Sequence, residues 1–139
     1  MPRVELGAWE QMRGWAAPIR HTVFVDEQQV PAEMELDVWD PRSVHAVAFD
    51  AAGTAVGTGR LLPDGHIGRM AVLRSARGAG IGSALLVALM TEARRRGHRD
   101  AVLSAQTHAI AFYSRHGYLV EGAEYMDAGI PHVDMRCML

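Results

Sequence analysis

The sequence predicts an α/β fold: a mixed, mostly antiparallel central sheet flanked by helices. Three observations carry that prediction. Apolar, β-rich runs bounded by turn residues recur in the middle and at the end of the chain. One long, strongly apolar helical stretch lies between them, so the order is strands, helix, strand, helix, strands. The 139 residues are 49% hydrophobic and 22% charged, which fits one domain over residues 1–139, since such a chain buries roughly 70% of its unfolded surface.

Val4 to Leu6 reads as a short opening strand. Ala8 to about Gln28 is helical but interrupted. Pro18 suits the first turn of a second helical piece, Pro18 to Glu27, in which Ile19, Val23 and Phe24 recur near helical spacing. Gln29 to Arg42 reads as an irregular acidic loop punctuated by Pro31 and Pro41. Val44 to Phe49 and Ala55 to Leu62 flank the turn Asp50-Ala51-Ala52-Gly53 as a hairpin. Gly57 and Gly59 inside the second strand indicate a bulge or a close backbone approach.

Pro63-Asp64-Gly65 makes another turn, and His66 to Val72 is a third strand. A loop with glycines at 78, 80 and 82 then leads into a helix from about Gly80 to Arg96. Leu85, Leu86, Val87, Leu89 and Met90 give that helix an apolar face wide enough to pack on a sheet. Arg94, Arg95 and Arg96 complement its negative end, and Gly97 suits the residue just past it. Ala101 to Ala105 reads as a buried strand and Thr107 to His116 as a short helix stopped by Gly117. Tyr118 to Tyr125 and Ile130 to Met138 close the chain as two strands around a turn at Asp127 to Gly129.

Composition removes several chemistries. All fourteen basic residues are arginine, and neither lysine nor asparagine occurs. Lysine Schiff bases, the Walker A lysine and N-glycosylation are therefore excluded. The net charge of -2 offers no field for nucleic acid, and no apolar run approaches the ~20 residues of a membrane span. The opening MPRVELGAWEQ has no apolar segment of a signal peptide, so a cytoplasmic location is expected. Cys137 is the lone cysteine, and the seven histidines show no metal-binding spacing, so no metal is expected.

The glycine loop after a strand and before a helix is an anion-binding arrangement, because glycines admit close approach and free N–H groups point outward. Gly78-x-Gly80-x-Gly82 has the wrong last interval for a dinucleotide fingerprint. Instead Val72-Leu73-Arg74-Ser75-Ala76-Arg77-Gly78-Ala79-Gly80-Ile81-Gly82-Ser83 resembles the acetyl-CoA motif of GNAT-type N-acetyltransferases, with Arg77, Gly80 and Gly82 matching it. A second block, Gln106 to Tyr118, resembles that family's helix motif at Ala109, Tyr113, Gly117 and Tyr118. Gln106 stands where the family usually carries asparagine. The stretches Val23 to Gln28 and Ile130 to Met135 look like the ElaA-like branch.

The resemblance implies a GNAT-like acyl-CoA N-acyltransferase fold with acetyl-CoA as co-substrate and a small-molecule or peptide amine as acceptor. It implies a pyrophosphate held by the backbone of Arg77, Gly78, Ala79, Gly80, Ile81, Gly82 and Ser83. The strand residues Met70, Ala71 and Val72 would run along the pantetheine arm, and Gln106 would take the asparagine position. Tyr113 would protonate the leaving thiolate, which departs more readily as a thiol. For the base that frees the amine, Glu33, Glu35, Asp37, His45 and His132 are all candidates, with Glu35 and His132 taken forward. Between Arg20 and Arg42 lie six acids and no lysine or arginine, a pattern that attracts a cationic acceptor or is simply a solvated loop. Partners are expected to exclude nucleic acid and membrane, and a homodimer stays open. The alternative function is a non-catalytic acyl-CoA-binding or regulatory module of the same fold.

Overall fold

A computed structural model of the chain describes residues 2–139. Its layering follows from β2 (Val44–Phe49), a strand buried on both faces. Ala46 and Ala48 face one way, Val47 and Phe49 the other. Such a strand needs a cover on each side. α1 (Trp9–Arg20) lays Trp9, Met12 and Ala16 against Val47 and Phe49. α3 (Ile81–Arg95) lays Ile81, Leu85, Leu86 and Leu89 against the opposite face.

β1 (Arg3–Ala8), β2, β3 (Ala55–Leu61) and β4 (Ile67–Val72) form an antiparallel sheet in that order. β5 (Asp100–Gln106), β6 (Leu119–Asp127) and β7 (Ile130–Met138) form a second antiparallel sheet in the order β5-β7-β6. α3 connects β4 to β5, which run parallel and meet at one isolated bridge, His66 with Val102. The Val102 N–H reaches the Gly65 carbonyl there at 3.5 Å. Past that point the strands part. The mixed, mostly antiparallel sheet is thus two antiparallel pieces sharing a single parallel junction. One core spans both, since Leu103, Ala105, Val133 and Met135 join the α3 cluster. α4 (Ile110–Ser114), preceded by a 3-10 turn, adds Tyr113 to that core.

Gly57 and Gly59 fulfil both expectations placed on them. A Cβ at Gly57 would lie 3.0 Å from Ile81 Cγ2 and from Leu85 Cδ1, so glycine lets α3 sit close to the sheet. A Cβ at Gly59 would lie 2.5 Å from Met70 Sδ. Opposite Gly59 the register slips: Thr58 pairs with Ala71 and Arg60 with Gly68, leaving Arg69 and Met70 to face one residue. That is a β-bulge in β4, and Arg69 takes a left-handed φ of 50° within it.

Two expectations are corrected. The first helix does not break at Pro18; α1 runs through it and continues as a π-helical segment, His21–Glu27, with Gln28 N–H bonded to Val23 O at 3.1 Å. A proline interior to a helix costs about 3 kcal/mol, but Met12, Ala16, Ile19 and Arg20 are buried on both sides of it and hold the helix in register. The segment from Gln29 to Arg42 is not simply an irregular loop. It contains α2 (Ala32–Glu35) and a 3-10 turn, Asp40–Arg42, because buried arginines grip its acids, as described below. At the far end of α3, Arg95 and Arg96 bond Glu92 as well as facing the helix terminus. No helix among the described residues is long and apolar enough to cross a membrane.

Gly57→Val forces a branched side chain into the α3–β3 contact and is expected to lower stability by about 1–3 kcal/mol, the usual cost of overpacking. Urea unfolding measures this, and an unchanged midpoint would show that α3 does not depend on that approach.

Candidate active site

The parting of β4 and β5 opens a cavity of about 1030 Å³. Met70, Ala71 and Val72 form one wall, Ser104 and Gln106 the other. The π-helical segment borders it through Val23, Phe24 and Glu27, and Tyr113 and His132 also line it. The structure therefore brings together the strand residues, the helix motif and two candidate bases, Glu35 and His132, from distant parts of the sequence.

The glycine loop lies at one end. Gly78 and Gly80 have φ of 83° and 80°, the left-handed region that favours glycine. A Cβ at either would meet nothing within 4 Å, so the concave side is open. Among the described residues, the N–H groups from Gly78 to Ser83 bond no backbone carbonyl. Free donors at the positive end of a 15-residue helix suit phosphate oxygens. This cradle fits the pyrophosphate of an acyl-CoA, with Ala79, Ile81 and Gly82 as its backbone. Ser83 Oγ lies 3.0 Å from His116 Nε2, and Gly82 packs near Phe112.

Arg77 is engaged elsewhere. Its Nη1 and Nη2 donate to both oxygens of Glu27 at 2.8 and 2.7 Å, and its Nε donates to Val72 O at 2.9 Å. Arg77 holds the Glu27 carboxyl below its ordinary range. The side chain thus ties the loop to the π-helical segment, and the donors left free in the loop are backbone amides. Gln106 has a similar tie: its Nε2 donates to Gln28 Oε1 at 2.8 Å, and His108 Nε2 lies 2.6 Å from its Oε1.

Tyr113 is buried, and burial pushes its phenol up to about 12. Its hydroxyl bonds no other described residue. His132, on β7, is 9% exposed, with Nδ1 2.7 Å from Ile130 O. A carbonyl only accepts, so Nδ1 donates there, and in the neutral ring Nε2 is the nitrogen with a lone pair. Beside it Tyr125 stacks on the ring and donates to Asp134 Oδ1 at 2.6 Å.

Glu35 sits in a different setting. Arg20 donates to both its oxygens, Nε at 2.9 and 3.0 Å and Nη2 at 2.6 Å. Arg20 also grips Asp40 through Nη1 at 2.7 Å, and Arg60 bonds Asp37 at 2.7 Å and Asp40 at 2.9 Å. Arg69 donates to Asp37 Oδ2 at 3.1 Å and to Glu35 O at 3.1 Å. Asp40 is held below its ordinary range by Arg20 and Arg60, against the opposing effect of burial. With their oxygens engaged by arginines, Glu35 and Asp37 have an anchoring role in this geometry. His45 is fully buried against Trp9 with Nε2 2.9 Å from Asp40 O, away from the cavity, and burial depresses its pKa. Glu33 lies on the exposed side of α2.

This network corrects the reading of the acidic segment as a lure for cations. Glu35, Asp37 and Asp40 are neutralised by Arg20, Arg60 and Arg69, Glu27 by Arg77, and Asp26 lies 3.5 Å from His21. Arg20, Arg60, Arg69 and Gln28 were not singled out from the sequence. The available signal was an arginine inside an otherwise apolar strand, as Arg60 is in β3.

A family model described as an acetyltransferase (GNAT) domain matches residues 10–139. A Bacillus subtilis (strain 168) protein named as an uncharacterized N-acetyltransferase, YjcF, is 44% identical over 121 residues, covering 84% of this chain and 86% of that protein. The crystal structure of an acyl-CoA N-acyltransferase from Pseudomonas aeruginosa superposes with a TM-score of 0.86 at 29% identity, covering 99% of each chain. That of Escherichia coli ElaA gives 0.84 at 25% identity, again covering 99% of each.

Two outcomes are expected. Asp40→Ala leaves Arg20 and Arg60 short of a buried counter-charge and should cost about 3–5 kcal/mol in thermal or urea unfolding. Gly80→Val places a β-branched side chain at a left-handed position inside the cradle; calorimetry should find coenzyme A binding lost in a folded variant, and retained affinity would exclude the cradle as its phosphate site.

Proposed function

The chain belongs to the GNAT acetyltransferase family of acyl-CoA-dependent N-acyltransferases, and from that premise we propose that it transfers an acetyl group from acetyl-CoA to a primary amine by direct attack. The observation that supports this reading is Tyr113: a buried phenol on the cavity wall, with no protein partner and a raised pKa. A module that only binds has no use for such a donor. When bound, acyl-CoA supplies a thioester whose carbonyl carbon takes the amine and whose C–S bond then breaks.

An alkyl ammonium has a pKa near ~10, so at neutral pH a base must free its lone pair. His132 Nε2 is the acceptor we assign to that proton, directly or through water; Glu35 stays an anchor. Tyr113 donates its O–H to the departing sulfur. A phenol at about 12 against a thiol near ~8.5 makes complete transfer uphill by roughly 5 kcal/mol. The phenol therefore acts first as a hydrogen-bond donor to the growing charge, and its proton passes only as another reaches it. Met70 and Val72 offer the free edge of β4 to the pantetheine arm, with Val72 O already taken by Arg77. Gln106 keeps an amide at the asparagine position, but its ties to Gln28 and His108 give it the task of bracing the two walls.

Thiol release over a panel of polyamines, amino sugars, amino acids and peptide N-termini tests the activity. Tyr113→Phe should lower kcat by roughly a hundredfold, a typical share for an acid–base group, while coenzyme A affinity stays within about twofold. Because its folded pKa is raised, the phenol stays protonated well above neutrality. In wild type kcat/KM should therefore keep rising through pH 9–10 as the amine deprotonates, with no falling limb from Tyr113. A falling limb near pH 9 that disappears in Tyr113→Phe would mean the tyrosine ionises far below the expected range.

A further inference from the structure

One wall of the cavity holds guanidinium groups whose hydrogen bonds are incomplete. Arg60 is only 5% exposed; both Nη atoms are bonded to Asp37 and Asp40, yet its Nε–H has no partner. Arg69 donates from Nε to Glu35 O and from Nη2 to Asp37 Oδ2 and Met34 O, while Nη1 has no acceptor among the described residues. Both side chains line the same cavity as Tyr113 and His132. An unmade bond at a buried donor costs about 1–3 kcal/mol, and folded proteins keep few of them.

The backbone points the same way. Arg69 sits at φ 50° in the β4 bulge, a conformation that costs a non-glycine residue about 1–3 kcal/mol. The bulge adds a residue on β4 opposite Gly59, and Arg69 stands on the cavity wall.

Charge selects the ligand. Arg20, Arg60 and Arg69 balance Glu35, Asp37 and Asp40, and each of those carboxylates already contacts an arginine. An ammonium finds no free carboxylate among these three; Asp127, elsewhere on the cavity lining, pairs with no arginine among the described residues. A carboxylate can accept a charge-assisted hydrogen bond from Arg69 Nη1, since Nε and Nη2 are taken by Glu35 O and Asp37 Oδ2. A phosphate dianion would bring two charges to a wall with no surplus positive charge.

We propose that the amine acceptor carries a carboxylate, bound by the free Nη1 of Arg69 on the wall it shares with Arg60. The acceptors are then amino acids or amines bearing an acid group. The amine part of this inference rests on the acyl-transfer reading above; the carboxylate part rests on the cavity wall alone.

Matched pairs separate the two: phenylalanine with phenethylamine, and 5-aminovalerate with butylamine. In the thiol-release assay the carboxylate member should have the higher kcat/KM by about tenfold or more, the worth of a charge-assisted hydrogen bond. Arg69→Gln, shown folded by circular dichroism, should raise KM for the carboxylate members by about tenfold and leave the decarboxylated amines and coenzyme A within about twofold. Arg69→Lys should recover part of the loss. Calorimetry of phenylalanine and 5-aminovalerate on coenzyme A-loaded protein reads the contact without turnover. Carboxylate-dependent binding that Arg69→Gln abolishes, without turnover of any amine, would retain the subsite and discard acyl transfer. No binding, binding unchanged in Arg69→Gln, or preference for the decarboxylated amines overturns the proposal.

Discussion

Everything in this structure hangs on the failure of two neighbouring strands to pair. β4 and β5 run parallel, share one bridge at His66 and Val102, and then diverge. Backbone groups along a strand edge need partners, and a strand left open in this way is a ready template for an extended ligand. The divergence persists because the two faces are covered unequally. On the α3 side a single core runs beneath both sheets, from Ala46 on β2 to Met135 on β7. On the other side α1 covers β2 and its neighbours, while the second sheet turns polar side chains outward, with Ser104, His132 and Asp134 on adjacent strands. The sheets are held together below and free to part above.

The buried ion network is what fills the open side. Its arginines come from α1, β3 and β4, and its acids all come from the short stretch Glu35 to Asp40. Moving a charge out of water without a partner costs several kcal/mol, so the set is stable only when complete. Its completion fastens a segment that buries little of its apolar surface, since Met34, Leu36, Val38 and Trp39 are exposed, to the edge of the cavity. The order of that segment is therefore electrostatic where the order of the sheets is hydrophobic.

That difference explains what the sequence discloses. The strands, α3 and the turn around Asp50 to Gly53 announce themselves through period and turn chemistry, and the cofactor loop through glycine spacing, because local conformation decides each of them. Gly57 and Gly59 signal a close approach for the same reason. The continuity of the first helix across Pro18 is hidden, since burial of Ala16 and Ile19 against other elements overrides the local cost. The ion network is hidden too. Its paired charges lie up to 34 residues apart in the chain, and no spacing rule links Arg20 to Asp40 or Arg69 to Asp37. Acids clustered without basic neighbours look solvent-exposed until the arginines of distant strands are placed beside them.

The two ends of the cavity consequently rely on different chemistry. At the glycine-loop end the free donors are backbone amides, which any sequence with the right glycines supplies; the side chain of Arg77 anchors the loop to Glu27. A chain without lysine or asparagine loses nothing there. At the other end the work falls on side chains, and arginine in place of lysine matters. A guanidinium can hold Asp37 with one nitrogen and Glu35 O with another while a third stays free. An ammonium has one nitrogen and a single point of charge, and cannot brace a segment and face a cavity at once. The arginine bias is therefore neutral for the glycine loop and consequential for the wall of Arg60 and Arg69, where one side chain both braces the acidic segment and lines the cavity.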